Sequence, residues 1–406
     1  MTGILEGIRV VDMGHFVAIP AAGAMLADWG AEVIKVEPLS GEVVRGIKKI
    51  HRVPTMLQFD SSEVSWAFEF LNRNKKGLAV DIKKESGRDA LYKLIESADV
   101  FMSNYELGSL KRLKLDYVTL SQLNPRLIYS IITGYGTVGP DKDERGFDYS
   151  AAWARSGIQY LIGEPGSPPP MARPGLIDRV ASANIVAGIL AALLHREKTG
   201  SGQELEVSLY HTGVWTLATD IQAALVGLPL PQNERAKVGN PLLNSYRTKD
   251  NRWLQLVMIQ SDVHWPDFCR AIERPELEND PRFNTMETRE QHCEELISIV
   301  EEVLASKNRE EWEKRFRENN CIYGRIETPL EVANDPQAIA NGFFAEINHP
   351  VAGQMKLVTT PVKFRQNPAS LRTPAPEVGQ HTEEILLDLG YSWDDLAQVK
   401  EQGAIL

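Results

Sequence analysis

Cysteine is scarce in this chain: Cys269, Cys293 and Cys321 are the only three. The number is odd and no pair has C-x-x-C spacing, which argues against a disulfide framework or a zinc site and fits a reducing cytoplasm. The histidines form no H-E-x-x-H, and neither a Walker loop nor a G-x-S-x-G elbow is present. No metal site is therefore expected. Positive charge is also short: 44 Lys and Arg against 55 Asp and Glu give a net charge of −11. That balance excludes general binding to a nucleic-acid backbone, which needs a basic face. No uninterrupted apolar run of transmembrane length is seen. The first residues, Met1 to Asp12, carry no basic n-region and no long apolar core, so neither a membrane span nor a signal peptide is expected.

What is present reads as an α/β enzyme. Strands are expected at Ile8 to Asp12, Ala31 to Glu37, Gly77 to Ile82, Val100 to Ser103, Leu127 to Thr133 and Leu205 to Leu209. Helices are expected between them, at Ala18 to Trp29, Ser86 to Ala98, Tyr117 to Asn124 and Ala183 to His195. Alternating strands and helices imply a parallel sheet covered on both faces. A Pro- and Gly-bearing stretch at 226–240 reads as a linker. Charged amphipathic helices follow, at Val263 to Ile272, Thr288 to Ala305 and Arg309 to Glu318. The expected organisation is a large domain over 1–225, a smaller domain over 241–335, and a C-terminal segment, 336–406, that returns to the large domain.

Several residues are candidates for chemistry. Gly134-Tyr135-Gly136-Thr137-Val138-Gly139 matches G-x-G-x-x-G after a strand. The polar run Pro140 to Arg145 replaces the helix a dinucleotide fingerprint requires, so it reads as a loop where backbone approaches a ligand. Two basic islands, Arg45 to Arg52 and Asn72 to Lys76, are solvated surface or phosphate contacts. His15 lies in the first βα loop, where such folds place ligands, whereas His211 reads as structural. Asp178 follows Arg173-Pro174-Gly175 and precedes the helix expected at Ala183. Locally it reads first as a helix N-cap. A still, partly desolvated carboxylate near a helix N-terminus also suits a nucleophile.

These pieces together resemble the class III CoA-transferases, the formyl-CoA and carnitine CoA-transferase family. The likeness runs from Leu5 to Asp12 and Gly30 to Glu37, through Asn72 to Lys76 and Asn104-Tyr105 with Arg112. It continues through Ala191 to Arg196 and Thr199 to Gln203, and ends at Gly379 to Thr382 and Leu389 to Tyr391. Pro140 to Asp143 and Gly146 to Tyr149 look like the branch acting on phenyllactate and 2-hydroxyisocaproate. The resemblance implies a Rossmann-like large domain with an inserted small α+β domain, in a homodimer whose chains interlock. A heteromeric transferase is the alternative assembly. It implies acyl-CoA as substrate, no permanently bound cofactor, and Asp178 as the catalytic carboxylate. It places CoA contacts on His15, Val17, Ala18, Asn72, Arg73, Lys75, Asn104, Arg112, Gly134, Tyr135 and Gly136. It places a closing loop at Gly239 and Asn240, here with a single glycine. Backbone N–H groups near Gly136 or Gly239 are the expected oxyanion donors. Val17 stands where formyl-CoA transferases carry glutamine, which points to a larger or more apolar acyl group. An α-methylacyl-CoA racemase, of the same fold, would need a histidine where Gly146-Phe147-Asp148 has phenylalanine.

Overall fold

The computed structural model describes residues 3–59 and 62–406. Two compact units emerge: one of Met1–Ile158, Met171–Val226 and Pro336–Leu406, the other of Gln159–Pro170 and Gly227–Asp335. The stretch read as a linker thus groups with the second unit from Gly227 onward, together with a short excursion from the first.

The first unit is built on strands β1 (Arg9–Met13), β2 (Glu32–Glu37), β3 (Lys76–Ala79), β4 (Val100–Ser103), β5 (Ile128–Thr133) and β6 (Gln203–Ser208). They form one sheet in the order β6-β5-β4-β1-β2-β3, and every pairing is parallel. The order reverses between β1 and β4, the switch point of a Rossmann-like sheet. Its principal helices are α1 (Ala18–Asp28), α2 (Trp66–Asn72), α3 (Glu85–Glu96), α4 (Leu176–Thr199) and α5 (Leu209–Thr216).

Strand alternation sends successive side chains to opposite faces. Val10 packs with Ile19, Leu26, Ile185 and Ile189 of α1 and α4. Its neighbour Val11 packs with Leu91, Leu94 and Ile95 of α3. Both central strands, β1 and β4, are buried almost throughout because both faces of the sheet are covered.

Helix α4 begins at Leu176, not Ala183, and is long and apolar enough to cross a membrane by length and composition. Here Ala181, Ile185, Ile189 and Ala192 give it a face buried in the core. The C-terminal segment closes on the β3 edge. His381 Nδ1 accepts from the Gly77 N–H at 3.0 Å, and Ile405 forms an antiparallel bridge with Val80.

The second unit holds a three-stranded antiparallel sheet of Ser245–Arg247, Trp253–Leu256 and Tyr323–Ile326. Its own core contains Trp265, Phe268, Trp312 and Phe316. The helix expected at Thr288 to Ala305 is two helices, Met286–Gln291 and Cys293–Leu304.

Candidate active site

At the switch point the chain leaves β1 and turns through Gly14 to Val17 before α1 begins. Each step of that turn is held. Asp12 Oδ1 accepts from the Gly14 N–H at 3.0 Å, and Lys35 Nζ donates to the Gly14 carbonyl at 2.6 Å. Asn104, just past β4, clamps the next residue on both sides: its Oδ1 accepts from the His15 N–H at 3.0 Å and its Nδ2 donates to the His15 carbonyl at 2.7 Å. Beneath lies a fully buried pair, Lys75 Nζ to Asp12 Oδ2 at 2.7 Å. Lys75 also donates to the Pro20 carbonyl and to Asn72 Oδ1, each at 2.8 Å.

On the far side, β5 runs into Gly134. Its Cα abuts that of Gly146; a Cβ on either residue would come within 2.7 Å of the other's backbone. The close approach this glycine permits is chain against chain. Gly146 leads directly into Phe147 and Asp148, the latter opening a π-helical stretch, Asp148–Ala154.

Asp148, rather than Asp178, supplies the helix cap that the local sequence suggested. Helix α4 starts after Gly175, whose φ of 67° favours glycine, and Asp178 is already its third residue. Asp148 Oδ1 accepts from the N–H groups of Ile177 and Asp178, at 3.1 and 3.2 Å. Its Oδ2 is buried and has no hydrogen-bond partner among the described residues. Asp178 is therefore relieved of capping, and among the described residues no hydrogen bond engages its carboxylate. Burial, and then the charge of Asp148, push its pKa up to about 7, against a smaller opposing pull from Arg179.

Asp148→Ala should cost about 1–2 kcal/mol, as other lost caps do, whereas Asp148→Asn should keep most of that stability. Both variants should lower the Asp178 pKa by removing a neighbouring charge. Thermal melts and a carboxyl-carbon NMR titration read the two effects separately. An Asp178 titration unmoved in both variants would contradict the coupling.

His15, Val17, Ala18, Asn104, Gly134, Asp148 and Asp178 line one cavity of about 400 Å³. It is of ligand-pocket size and lies outside the carboxyl ends of the strands, where α/β sheets bind ligands. Phe16, Tyr105 and Phe147 also line it, with the loop Lys142 to Arg145. Other expected contacts lie elsewhere. Asn72, Arg73 and Lys75 are buried, with Arg73 on Asp28 at 2.8 Å and Lys75 on Asp12. The charges of Arg73 and Lys75 are spent on internal pairs, and Asn72 Oδ1 accepts from Lys75. In the other basic island, Arg45 is likewise paired, with Glu37 at 2.7 Å. Arg112 is exposed and donates to Ser109 Oγ at 2.7 Å, and Ser109 lines an adjoining cavity shared with His15 and Asn104. Tyr135 packs on Tyr210, and the Gly136 N–H is taken by Thr133 Oγ1 at 3.0 Å, so it is not a free oxyanion donor. Gly239 and Asn240 belong to the second unit, Asn240 being bonded to the Met258 carbonyl.

A family model described as CoA-transferase family III matches residues 5–382. The chain is 36% identical over 402 residues to the (R)-2-hydroxy-4-methylpentanoate CoA-transferase of Clostridioides difficile, with 99% of each covered. It is 33% identical over 409 residues to the cinnamoyl-CoA:phenyllactate CoA-transferase of Clostridium sporogenes, covering 100% of this chain and 98% of that one. Among solved structures, a CAIB/BAIF family protein from Brucella suis superposes with a TM-score of 0.84 at 27% identity, covering 96% of this chain and 100% of the other. The chain belongs to CoA-transferase family III, and it is an enzyme of the CoA-transferase class.

Proposed function

We propose that this enzyme moves CoA from an acyl-CoA to a free organic acid through a covalent thioester on Asp178. The observation that carries this is the Asp178 carboxylate: part-buried, unengaged by any hydrogen bond among the described residues and set in a cavity at the start of α4. A carboxylate attacks a thioester without a general base.

Asp178 adds to the donor carbonyl, the C–S bond breaks, and a mixed anhydride and CoA thiolate form. The thiolate adds to the aspartyl carbonyl. The anhydride C–O bond breaks, releasing the donor acid and leaving Asp178 as its CoA thioester. The acceptor carboxylate then attacks this thioester, giving a second anhydride and free thiolate. The thiolate takes the acceptor acyl group and frees Asp178. Each tetrahedral intermediate bears an oxyanion. The first turn of α1 lies at the cavity wall, at Val17 and Ala18, and among the described residues no side chain caps it, which makes its N–H groups suitable donors. Arg112 remains available to a CoA phosphate.

Val17 and the named substrates of the two relatives support a larger apolar, aryl or 2-hydroxy acid. Racemase chemistry is disfavoured, since Phe147 cannot exchange a proton and Asp148 is committed to the α4 amides. An apolar groove of about 980 Å³, lined by Met25, Trp66, Phe70 and Leu357 among others, supports assembly with a second copy of the chain.

Incubation with cinnamoyl-CoA alone should add the mass of CoA less one water to the peptide containing Asp178, and hydroxylamine should release it. Turnover with the adduct on another residue, or with none, would overturn the mechanism.

A further inference from the structure

Resting on the transferase reading above, we infer that the cavity selects acyl groups bearing an aromatic ring, with Phe147, backed by Phe16, as the residue that grips the ring. Four rings run along the cavity that holds Asp178. Tyr105 and His15 lie 5.3 Å apart, His15 and Phe16 5.1 Å, and Phe16 and Phe147 5.8 Å, the last pair edge to face at 85°.

Phe147 is 55% exposed, while its neighbour Asp148 is 4% exposed. The backbone at this point is thus anchored to α4, yet the phenyl ring stands uncovered at the cavity wall. With Phe16 and Tyr105 it forms a contiguous aromatic wall on the cavity, the kind of lining that a ligand covers. The ring also comes one residue before the side chain that positions the Asp178 backbone, so an acyl group bonded to Asp178 would have it close by.

Phe16 carries the second line of argument. Its φ is 62°, a left-handed conformation that is costly for a bulky side chain and that persists only where its surroundings enforce it. They do so here. Asn104 holds the His15 backbone on both sides, and Lys35 and Asp12 hold Gly14. The result of that enforced turn is a ring edge-on to Phe147. A branched aliphatic acyl group would gain only buried area from this wall. A phenyl group would also gain the edge-to-face and offset contacts that aromatic pairs favour.

Isotope exchange between an acyl-CoA and its own labelled free acid tests this without a second acid. The probes are 3-phenylpropanoyl-CoA with 3-phenylpropanoate and 4-methylpentanoyl-CoA with 4-methylpentanoate. The unaltered enzyme should favour the phenyl pair by about tenfold or more in kcat/KM, the scale of discrimination a hydrophobic pocket reaches. Phe147→Ala should collapse that preference toward unity, mainly through KM for the phenyl pair. Phe147→Leu, which restores bulk without a ring, should not recover it. A preference for the aliphatic pair, or a phenyl preference that survives in Phe147→Ala, would overturn the inference while leaving transfer intact. Exchange of neither acid, with no adduct on Asp178, would instead overturn the transferase mechanism beneath it.

Discussion

Asp178→Asn is expected to abolish CoA transfer, by about four orders of magnitude or more, because in the proposed mechanism the residue forms the covalent bond in every step. The same substitution should make the protein more stable at alkaline pH. In the folded chain the Asp178 carboxyl is pushed from 3.8 to about 7. Between those values the folded state holds a proton that the unfolded chain has released. Stability therefore falls as pH rises across that window, and the loss is complete above about pH 7. Asparagine carries no such group. The two proteins should melt together near pH 4, and the variant should be more stable at pH 8 by on the order of 3 kcal/mol. Melting curves from pH 4 to 8 check this; a difference that does not widen with pH would mean that the carboxylate is not desolvated. On the proposed mechanism, kcat/KM of the unaltered enzyme should fall on the acid side of about pH 7, as Asp178 takes up its proton.

Lys75→Ala should be the most destabilising single change near the site, at about 3–5 kcal/mol, because it leaves Asp12 charged and without its partner in the interior. Asp12, Lys75 and Asn72 are all fully buried. Lys75→Met combined with Asp12→Asn should recover most of the loss, since the uncompensated charge is gone and an amide oxygen can still hold the Gly14 N–H. Urea unfolding midpoints of the single and double variants decide it. A double variant as unstable as Lys75→Ala would show that packing, rather than charge, is at stake. The pair also bears on chemistry, for the same Asp12 fixes the turn that carries His15 and Val17 to the cavity.

Most of the first unit was legible because its signals are local. Buried strands such as Val100–Ser103 are short apolar runs, and Gly30 punctuates the step from α1 to β2. What stayed hidden depends on partners far apart in the chain. Helix α4 was placed from Ala183, where the run of small and apolar residues begins; its true start is capped by Asp148, 30 residues upstream of Asp178. Asn72, Arg73 and Lys75 looked like a phosphate site because Asp28 and Asp12, their neutralising partners, lie 45 and 63 residues away. The pattern of residues identified Asp178 through family resemblance. It did not show that a second carboxylate both caps the helix and raises the pKa of the first. A Gly-x-Asp placed between strand and helix, as at Gly146 to Asp148, is the local trace that could have suggested it.

The closure of the β3 edge by residues near Ile405 has a consequence for synthesis. The ribosome delivers all six strands of the parallel sheet long before the segment that covers its outer edge, and the stretch Gly227–Asp335 of the second unit is made in between. An uncovered strand edge is a template for pairing with other chains. Substitutions around His381 and Ile405 should therefore register in the yield of newly made protein more than in the equilibrium stability of the finished fold.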